Sequence, residues 1–276
     1  MTRLIAIANQ KGGVGKTTSA VNLACGAARF LGPDRVLLVD MDPQANTTHV
    51  LLGVETAAGP RRAGVPTIRE VLMGDASAES ARQYHFLPNF STRSGFILPP
   101  STIHIIPSHL ELATLEPVLT AQFRGEYSLN KAMTAITEQY DMIIVDCPPS
   151  LGSLTLNALL FCEEVVIPVS PGEFALVGLG LLQRTIQQAQ EANPRLRISG
   201  VLPNAVGRTR LARETLAALK AHFGDLVLPS IPNRVAIGEA HSSGGDIFSY
   251  SPNSAASTAY LEAVQQLLGD TLKLKR

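Results

Sequence analysis

The 276-residue chain is sparing in charge and in cysteine, and it has no long apolar run. Only 17% of its residues are charged, and 23 Lys+Arg balance 23 Asp+Glu, so the formal net charge is zero. That balance excludes a uniformly basic protein that coats nucleic acid by bulk attraction. It leaves room for a local basic face, because association responds to local fields. The three cysteines, Cys25, Cys147 and Cys162, are far apart, set among apolar residues and without a CxxC pair. Neither a disulfide framework nor a zinc or iron–sulfur site is indicated, and buried free thiols in a reducing cytosol are expected. No stretch approaches the roughly 18 apolar residues of a membrane span. Residues 1–8 carry one arginine and a short apolar stretch, too little for a signal peptide. A cytoplasmic location is therefore expected. No internal repeat or linker divides the chain, so a single domain over 1–276 is expected.

At 45% hydrophobic the chain is apolar enough to fold around a core. Short β-branched runs alternate with helical patterns. Strands are predicted at 4–8, 36–39, 142–145 and 165–167, with further candidates at 103–106, 197–202 and 226–231. Helical patterns fall near 16–30, 128–139, 153–161, 175–192, 209–222 and 254–268. The strands are continuously apolar, as expected when helices cover both faces of a parallel sheet. The fold class that follows is α/β, a doubly wound, mostly parallel sheet with helices on both faces. Residues 82–101 break the rhythm with Pro88, Pro99, Pro100, several Ser/Thr and Phe86, Phe90 and Phe96. They read as an inserted surface loop, and the aromatics raise partner docking as the sharper alternative.

The decisive segment is Gln10-Lys11-Gly12-Gly13-Val14-Gly15-Lys16-Thr17-Thr18, directly after the first strand. Glycines there let backbone N–H groups turn inward around phosphate oxygens. Lys16 can reach terminal phosphates, and the Thr17 hydroxyl can ligate Mg²⁺. The helix that follows turns its positive end to the same anion. The order strand, glycines, Lys-Thr, helix is what this chemistry demands, so a nucleoside triphosphate and Mg²⁺ are the expected ligands.

The ordinary pattern GxxxxGK followed by Ser or Thr needs glycine at position 10, where this chain has Gln10, and a second lysine, Lys11, stands near the loop's start. In this the chain resembles the ParA/MinD group of P-loop ATPases, which carry the deviant form KGGVGKT. The resemblance implies ATP as the nucleotide and weak intrinsic hydrolysis. It also implies an ATP-dependent homodimer in which Lys11 crosses to the partner's nucleotide, comparable to an arginine finger. Two more segments agree. Val36-Leu37-Leu38-Val39-Asp40-Met41-Asp42-Pro43-Gln44 is similar to the family's VLLVDxDPQ. By resemblance Asp42 positions or activates the attacking water and Asp40 supports the Mg²⁺ shell. Ile143-Ile144-Val145-Asp146-Cys147-Pro148-Pro149-Ser150 resembles the Walker B strand, with Asp146 holding Mg²⁺ through water. Asn204, Pro232 and Asn233 fall where family members surround adenine.

Within the group, a MinD-like membrane ATPase should end in an amphipathic helix. Here Tyr260, Leu261, Val264, Leu267 and Leu268 read as core packing, and Gly269-Asp270 as a helix stop. Stable membrane association is not expected. The first strand starts at residue 4, so the helix-turn-helix of longer plasmid types is not expected. The resemblance is nearest to the Soj-like ParA partition proteins. It implies sequence-independent DNA binding by the dimer, stimulation by a ParB-like centromere-binding partner, and residence on the nucleoid. A MinD-like surface ATPase, or a relative positioning non-DNA cargo, is the alternative. Residues 184–220 hold seven basic side chains against Glu191 and Glu214, a local excess of five that suits phosphate contacts. Arg208 matches a DNA-binding position of Soj-like members, with Arg210, Arg213 and Arg234 as neighbours. The late family pattern IPRNVRLSEAPSxGKP is altered: Ala236 replaces an arginine and Gly245 a lysine. Gly172 stands where relatives have glutamate.

Overall fold

A computed structural model describes residues 2–53, 65–91, 97–172 and 175–273. The strands are β1 (Arg3–Ile7), β2 (Val36–Asp40), β3 (Gln83–Leu87), β4 (Phe90–Ser91), β5 (Ile97–Leu98), β6 (Ser101–Ile106), β7 (Met142–Asp146), β8 (Glu164–Val169) and β9 (Arg197–Pro203). The helices are α1 (Lys16–Leu31), α2 (Asn46–Leu52), α3 (Ile68–Met73), α4 (Leu115–Ala121), α5 (Ser128–Met133), α6 (Ser153–Phe161), α7 (Ala175–Ala192), α8 (Arg210–Phe223), α9 (Val235–Ser242), α10 (Ile247–Tyr250) and α11 (Ala255–Lys273).

Seven strands form one sheet in the order β3-β6-β2-β7-β1-β8-β9, parallel except for β3, which runs antiparallel to β6. The continuous apolar runs are explained by the side chains alternating between two cores. Ala6, Leu37, Val39, Ile143 and Val145 enter one. Ile5, Ile7, Val36, Leu38, Met142 and Ile144 enter the other, beneath α1 and α11. With helices on both faces, neither set of side chains meets water. The doubly wound α/β expectation holds.

The C-terminal stripe is core. Tyr260, Val264 and Leu268 are fully buried, and Leu261 and Leu267 pack beside them. Burial on this scale contributes about 1.5–3 kcal/mol per large side chain. Gly26 lets α11 approach α1, since a Cβ there would lie 2.8 Å from a Val264 methyl. Gly269 breaks the helix with φ 34° and ψ −107°, and helical backbone resumes to Lys273. Among the described residues no helix is long and apolar enough to cross a membrane.

Three expectations are corrected. Residues 82–101 are not a loop throughout: Gln83–Leu87 form the antiparallel edge strand β3, and β4 and β5 pair antiparallel with each other. Within this segment Phe90 is buried and stacks on Phe248, whereas Phe86 is exposed; Phe96 lies outside the described residues. The strand expected at 226–231 is absent. Val227 makes one isolated bridge to Val201, and Gly224–Leu226 is a 3₁₀ turn. Pro229 and Pro232 lack the N–H groups a continued ladder needs. The helix expected over 128–139 stops at Met133, with a 3₁₀ turn at Thr137–Gln139.

Candidate nucleotide site

The glycine segment leaves the C-terminal end of β1, in the middle of the sheet, where parallel sheets present ligands. Asn9 ties its entry down. Its Nδ2 donates to the Pro168 carbonyl at 2.7 Å, and its Oδ1 accepts from the Lys11 amide at 3.0 Å. Gly13 and Gly15 have φ of +72° and +86°, which side-chain-bearing residues rarely adopt. Gly15 is doubly required, because a Cβ there would sit 1.8 Å from Asn204 Nδ2. Lys11, Gly12 and Gly13 are exposed, Val14 is buried, and Thr17 and Thr18 open α1 half-buried. The buried Lys16 lies back over the loop, its Nζ donating to the Lys11 carbonyl at 3.1 Å. Burial lowers its pKa, while Asp146, Cys147 and Asp42 act to raise it.

Facing the loop are the three predicted carboxylates. Asp40 and Asp146 are register partners at the ends of β2 and β7, both fully buried. Asp40 is saturated by local donors. Its Oδ2 accepts from the Thr48 amide and hydroxyl at 2.9 and 2.7 Å, and its Oδ1 from the Asp42 amide at 3.1 Å. Asp146 Oδ2 accepts from the Thr47 hydroxyl at 2.8 Å, whereas its Oδ1 is buried without a hydrogen-bond partner. Desolvation pushes both carboxyls up, and Asp146 pushes Asp40 further, to about 8. Asp146 rises to about 7, against the pull of the Thr47 and Thr17 hydroxyls and of Lys16. Buried acids held this high are short of positive charge. Asp42 is also raised by burial, opposed by the Gln44 amide at 2.9 Å and by Lys16.

An orphaned oxygen at the end of a central strand, with Thr17 beside it, is the arrangement that a hard cation completes. These residues fit Mg²⁺: Asp146 and Thr17 have the oxygens to hold it, and Asp40 is committed to fixing the start of α2.

A cleft of about 210 Å³ lies beside the loop. Asn204, Pro232 and Asn233 line it with Gly13, Val14, Gly15 and Thr18, so the three residues assigned to adenine do meet the loop. Asn204 Nδ2 donates to the Val14 carbonyl at 3.1 Å, fixing β9 to the loop. The Asn233 amide bonds the Val206 carbonyl at 3.1 Å and carries the late segment to the same wall.

Several site residues escaped the sequence analysis. Thr47 and Thr48, adjacent hydroxyls soon after Asp42, were open to detection as a cluster of carboxylate donors. Asn9 directly precedes the loop and was open to detection as an acceptor for the Lys11 amide two residues on. Ser108, Ile237, Gly238 and His241 had no local signal, because only the tertiary fold brings them to the site. Ser108 bonds the Asp42 carbonyl at 2.7 Å. Gly172 lies beside Lys11, where a Cβ would be 3.6 Å from Nζ; Glu173 lies outside the described residues.

The basic stretch divides. Arg195 and Arg197 sit at the N-terminal end of β9 and pair with Glu163 and Glu164 at 2.9 and 3.1 Å. Arg208, Arg210 and Arg213 lie past its C-terminal end, all exposed, with Arg210 bonded to Glu214 at 2.7 Å. A seven-residue strand spans about 20 Å, so 184–220 is not one continuous stripe. The bridge between Val206 and Pro232 brings the exposed Arg234 segment beside that of Arg208.

A family model described as an AAA domain matches residues 2–198. The sporulation initiation inhibitor protein Soj of Bacillus subtilis is 38% identical, over 97% of this chain and 98% of its own. The chromosome-partitioning ATPase Soj of Thermus thermophilus is 39% identical, over 96% and 95%. The structure is similar, at TM-score 0.75 and 32% identity over 100% of this chain and 98% of the other, to one described as cobyrinic acid a,c-diamide synthase from Mycobacterium smegmatis with bound ATP analog and magnesium. The resemblance drawn from the glycine loop thus extends over nearly the whole length, and the chain belongs to the AAA-domain family that its model defines and to the Soj/ParA group of partitioning proteins.

Proposed function

We propose that this protein is a ParA-type partition ATPase, an ATP- and Mg²⁺-dependent dimer that binds DNA without sequence preference. The observation that carries the reading is the pairing of a glycine loop with a buried, incompletely satisfied carboxylate, Asp146, at adjacent strand ends. The loop amides cradle phosphates, and Lys16 exchanges the Lys11 carbonyl for a phosphate oxygen. Thr17 and Asp146 hold Mg²⁺, which supplies positive charge to the phosphates when bound. Asp42 orients water for attack. Lys11, exposed at the loop's rim, crosses to the nucleotide of a second copy.

ATP then acts by linkage: it shifts a monomer–dimer equilibrium instead of driving a synthesis. The closed dimer sets Arg208, Arg210, Arg213 and Arg234 of both copies against nucleoid DNA. A ParB-like partner stimulates hydrolysis and releases the dimer. In this reading the protein is cytoplasmic and nucleoid-associated. A MinD-like membrane role is disfavoured by the burial of the C-terminal stripe against α1.

The test compares gel shift on random DNA with pelleting on anionic liposomes, each with ATP, with ADP and for Lys11→Ala. ATP-dependent DNA binding that Lys11→Ala loses, while still binding nucleotide as a monomer, is expected. Pelleting with liposomes while ignoring DNA at low salt would refute the partition reading.

A further inference from the structure

Threonines in and beside helices ordinarily give their hydroxyls to their own backbone. Thr134 and Thr137 do so here, each bonding the carbonyl four residues earlier, at 2.9 and 2.8 Å. Thr47 and Thr48, in the first turn of α2, do otherwise. Thr48 donates its amide and hydroxyl to Asp40 Oδ2, and its hydroxyl accepts from the Ser108 amide at 2.8 Å. Thr47 reaches across to the end of β7, 99 positions away, and donates to Asp146 Oδ2 at 2.8 Å. Both threonines and both acids are fully buried.

The backbone ahead of α2 is bent to make this possible. Ala45 has φ of +51°, in the left-handed region that side-chain-bearing residues rarely adopt. Its amide bonds the Asp42 carbonyl at 2.9 Å, so the chain turns back directly after Asp42 and sets the start of α2 over the strand ends. Asp40 and Asp146 are register partners there, and one helical turn serves both. The two acids are served differently. Both oxygens of Asp40 are filled, whereas Thr47 fills only Oδ2 of Asp146 and leaves Oδ1 without a hydrogen-bond partner. The Asp146 carboxylate faces the glycine loop, since the Thr17 hydroxyl and the Lys16 ammonium both act on it. A carboxylate pinned through one oxygen presents the other in a fixed direction, and an unpinned one is free to turn away from a cation.

We propose that Thr47 is a positioning residue for the Mg²⁺ site: its hydroxyl holds Asp146 Oδ2 so that Oδ1 is presented to the cation beside Thr17. The inference rests on the nucleotide-binding reading above and adds to it the residue that orients the metal-holding acid. It also gives the first turn of α2 a function. That turn is anchored on Asp42, whose carbonyl accepts from the Ala45 amide and the Ser108 hydroxyl. The placement of the cation and the placement of Asp42 thus depend on one short segment. A single carboxylate oxygen on offer suits Mg²⁺, which takes few carboxylate oxygens and keeps several waters.

The test titrates Mn²⁺, which suits the same oxygen ligands as Mg²⁺, into ADP-loaded wild type, Thr47→Val and Thr47→Ser. Electron paramagnetic resonance of the free ion reads the metal Kd directly, without turnover. Thr47→Val keeps the side chain's shape and removes its hydroxyl. It should raise the Mn²⁺ Kd by about tenfold, as the loss of a bond that orients a metal ligand does. Its ADP affinity in EDTA, read by fluorescence, should stay within about twofold of wild type, less than one hydrogen bond is worth. Thr47→Ser restores the donor and should return the Mn²⁺ Kd to within about twofold of wild type. If Thr47→Val binds Mn²⁺ as tightly as wild type, Thr47 only fastens α2 to the sheet and the proposal falls. It falls too if the Mn²⁺ and metal-free ADP affinities weaken alike, which marks a general disturbance. A wild-type chain that binds no nucleotide sinks the nucleotide reading itself, so the two failures are distinguishable. Should Thr47→Val not fold, Thr47→Cys, a weaker donor of similar size, takes its place under the same criteria, with a rise of about fivefold expected.

Discussion

The two ends of the central sheet carry similar numbers of buried or half-buried acids and treat them in opposite ways. At the N-terminal end Glu163, Glu164 and Asp141 each meet an arginine. Glu164 bonds Arg3 through both oxygens and also Arg197, Asp141 takes Arg35 at 2.7 Å, and Glu163 takes Arg195. The Glu164 carboxyl is accordingly held below its ordinary value by Arg3 and Arg197, despite burial. At the C-terminal end Asp40, Asp42 and Asp146 have no salt bridge among the described residues, and all three carboxyls are pushed up by desolvation. Lys16 is near but spends its hydrogen bond on the Lys11 carbonyl. One end is therefore neutralised by the chain's own arginines, whereas the acids at the other end have no such partner among the described residues. Uncompensated burial distinguishes a site from a clamp more sharply than the mere presence of acids does.

Substitutions can break this contrast if it is wrong. The largest effect is expected from Lys16→Ala, which should abolish nucleotide binding in a filter or fluorescence assay while the nucleotide-free protein still melts cooperatively. Asp42→Ala should slow hydrolysis at least about tenfold and prolong the ATP dimer, read by phosphate release and size-exclusion chromatography; normal hydrolysis would remove its role.

Glu164→Gln should do the reverse. It should leave nucleotide affinity alone and cost about 2–3 kcal/mol of stability, less than a fully buried pair because Arg197 is mostly exposed. Urea denaturation measures it. The pH dependence has a definite sign. Glu164 stabilises fully above its unfolded value near 4.5, and that contribution is lost as pH falls through the lower folded value. The raised Asp40 and Asp146 act oppositely, withdrawing stability as pH rises from 3.8 through about 7 to 8. The smallest effect is expected from Arg208→Glu. It should weaken DNA binding evenly across sequences and flatten its salt dependence, and unchanged binding would move the DNA face elsewhere.

Much of the site was legible because its chemistry is local. Glycines with positive φ, a lysine and a hydroxyl must follow one another on a strand–loop–helix turn, so Gly13, Gly15, Lys16 and Thr17 declare themselves in nine residues. Asp40 and Asp146 were visible as acids ending apolar strands. That Asp40 is saturated by Thr48 while Asp146 keeps an open oxygen was not visible, since the difference depends on where α2 starts relative to two strand ends. Strand β3 was hidden by the prolines around it. An exposed edge strand with one face in water needs no continuous apolar run.

The basic stretch shows the same division. Seven basic residues over 184–220 add up in sequence, but β9 runs through them and carries Arg195 and Arg197 to one end of the sheet and Arg208 to the other. By itself, then, the sequence determined the class of fold, the phosphate loop and the family, because each rests on short-range periodicity or on contiguous residues. Only the tertiary structure decided which acids are neutralised, which arginines share a face and that Thr47 meets Asp146. Charge compensation and cleft walls are made by residues up to some two hundred positions apart, as in the contact of Asn204 with Val14, and no local pattern encodes them.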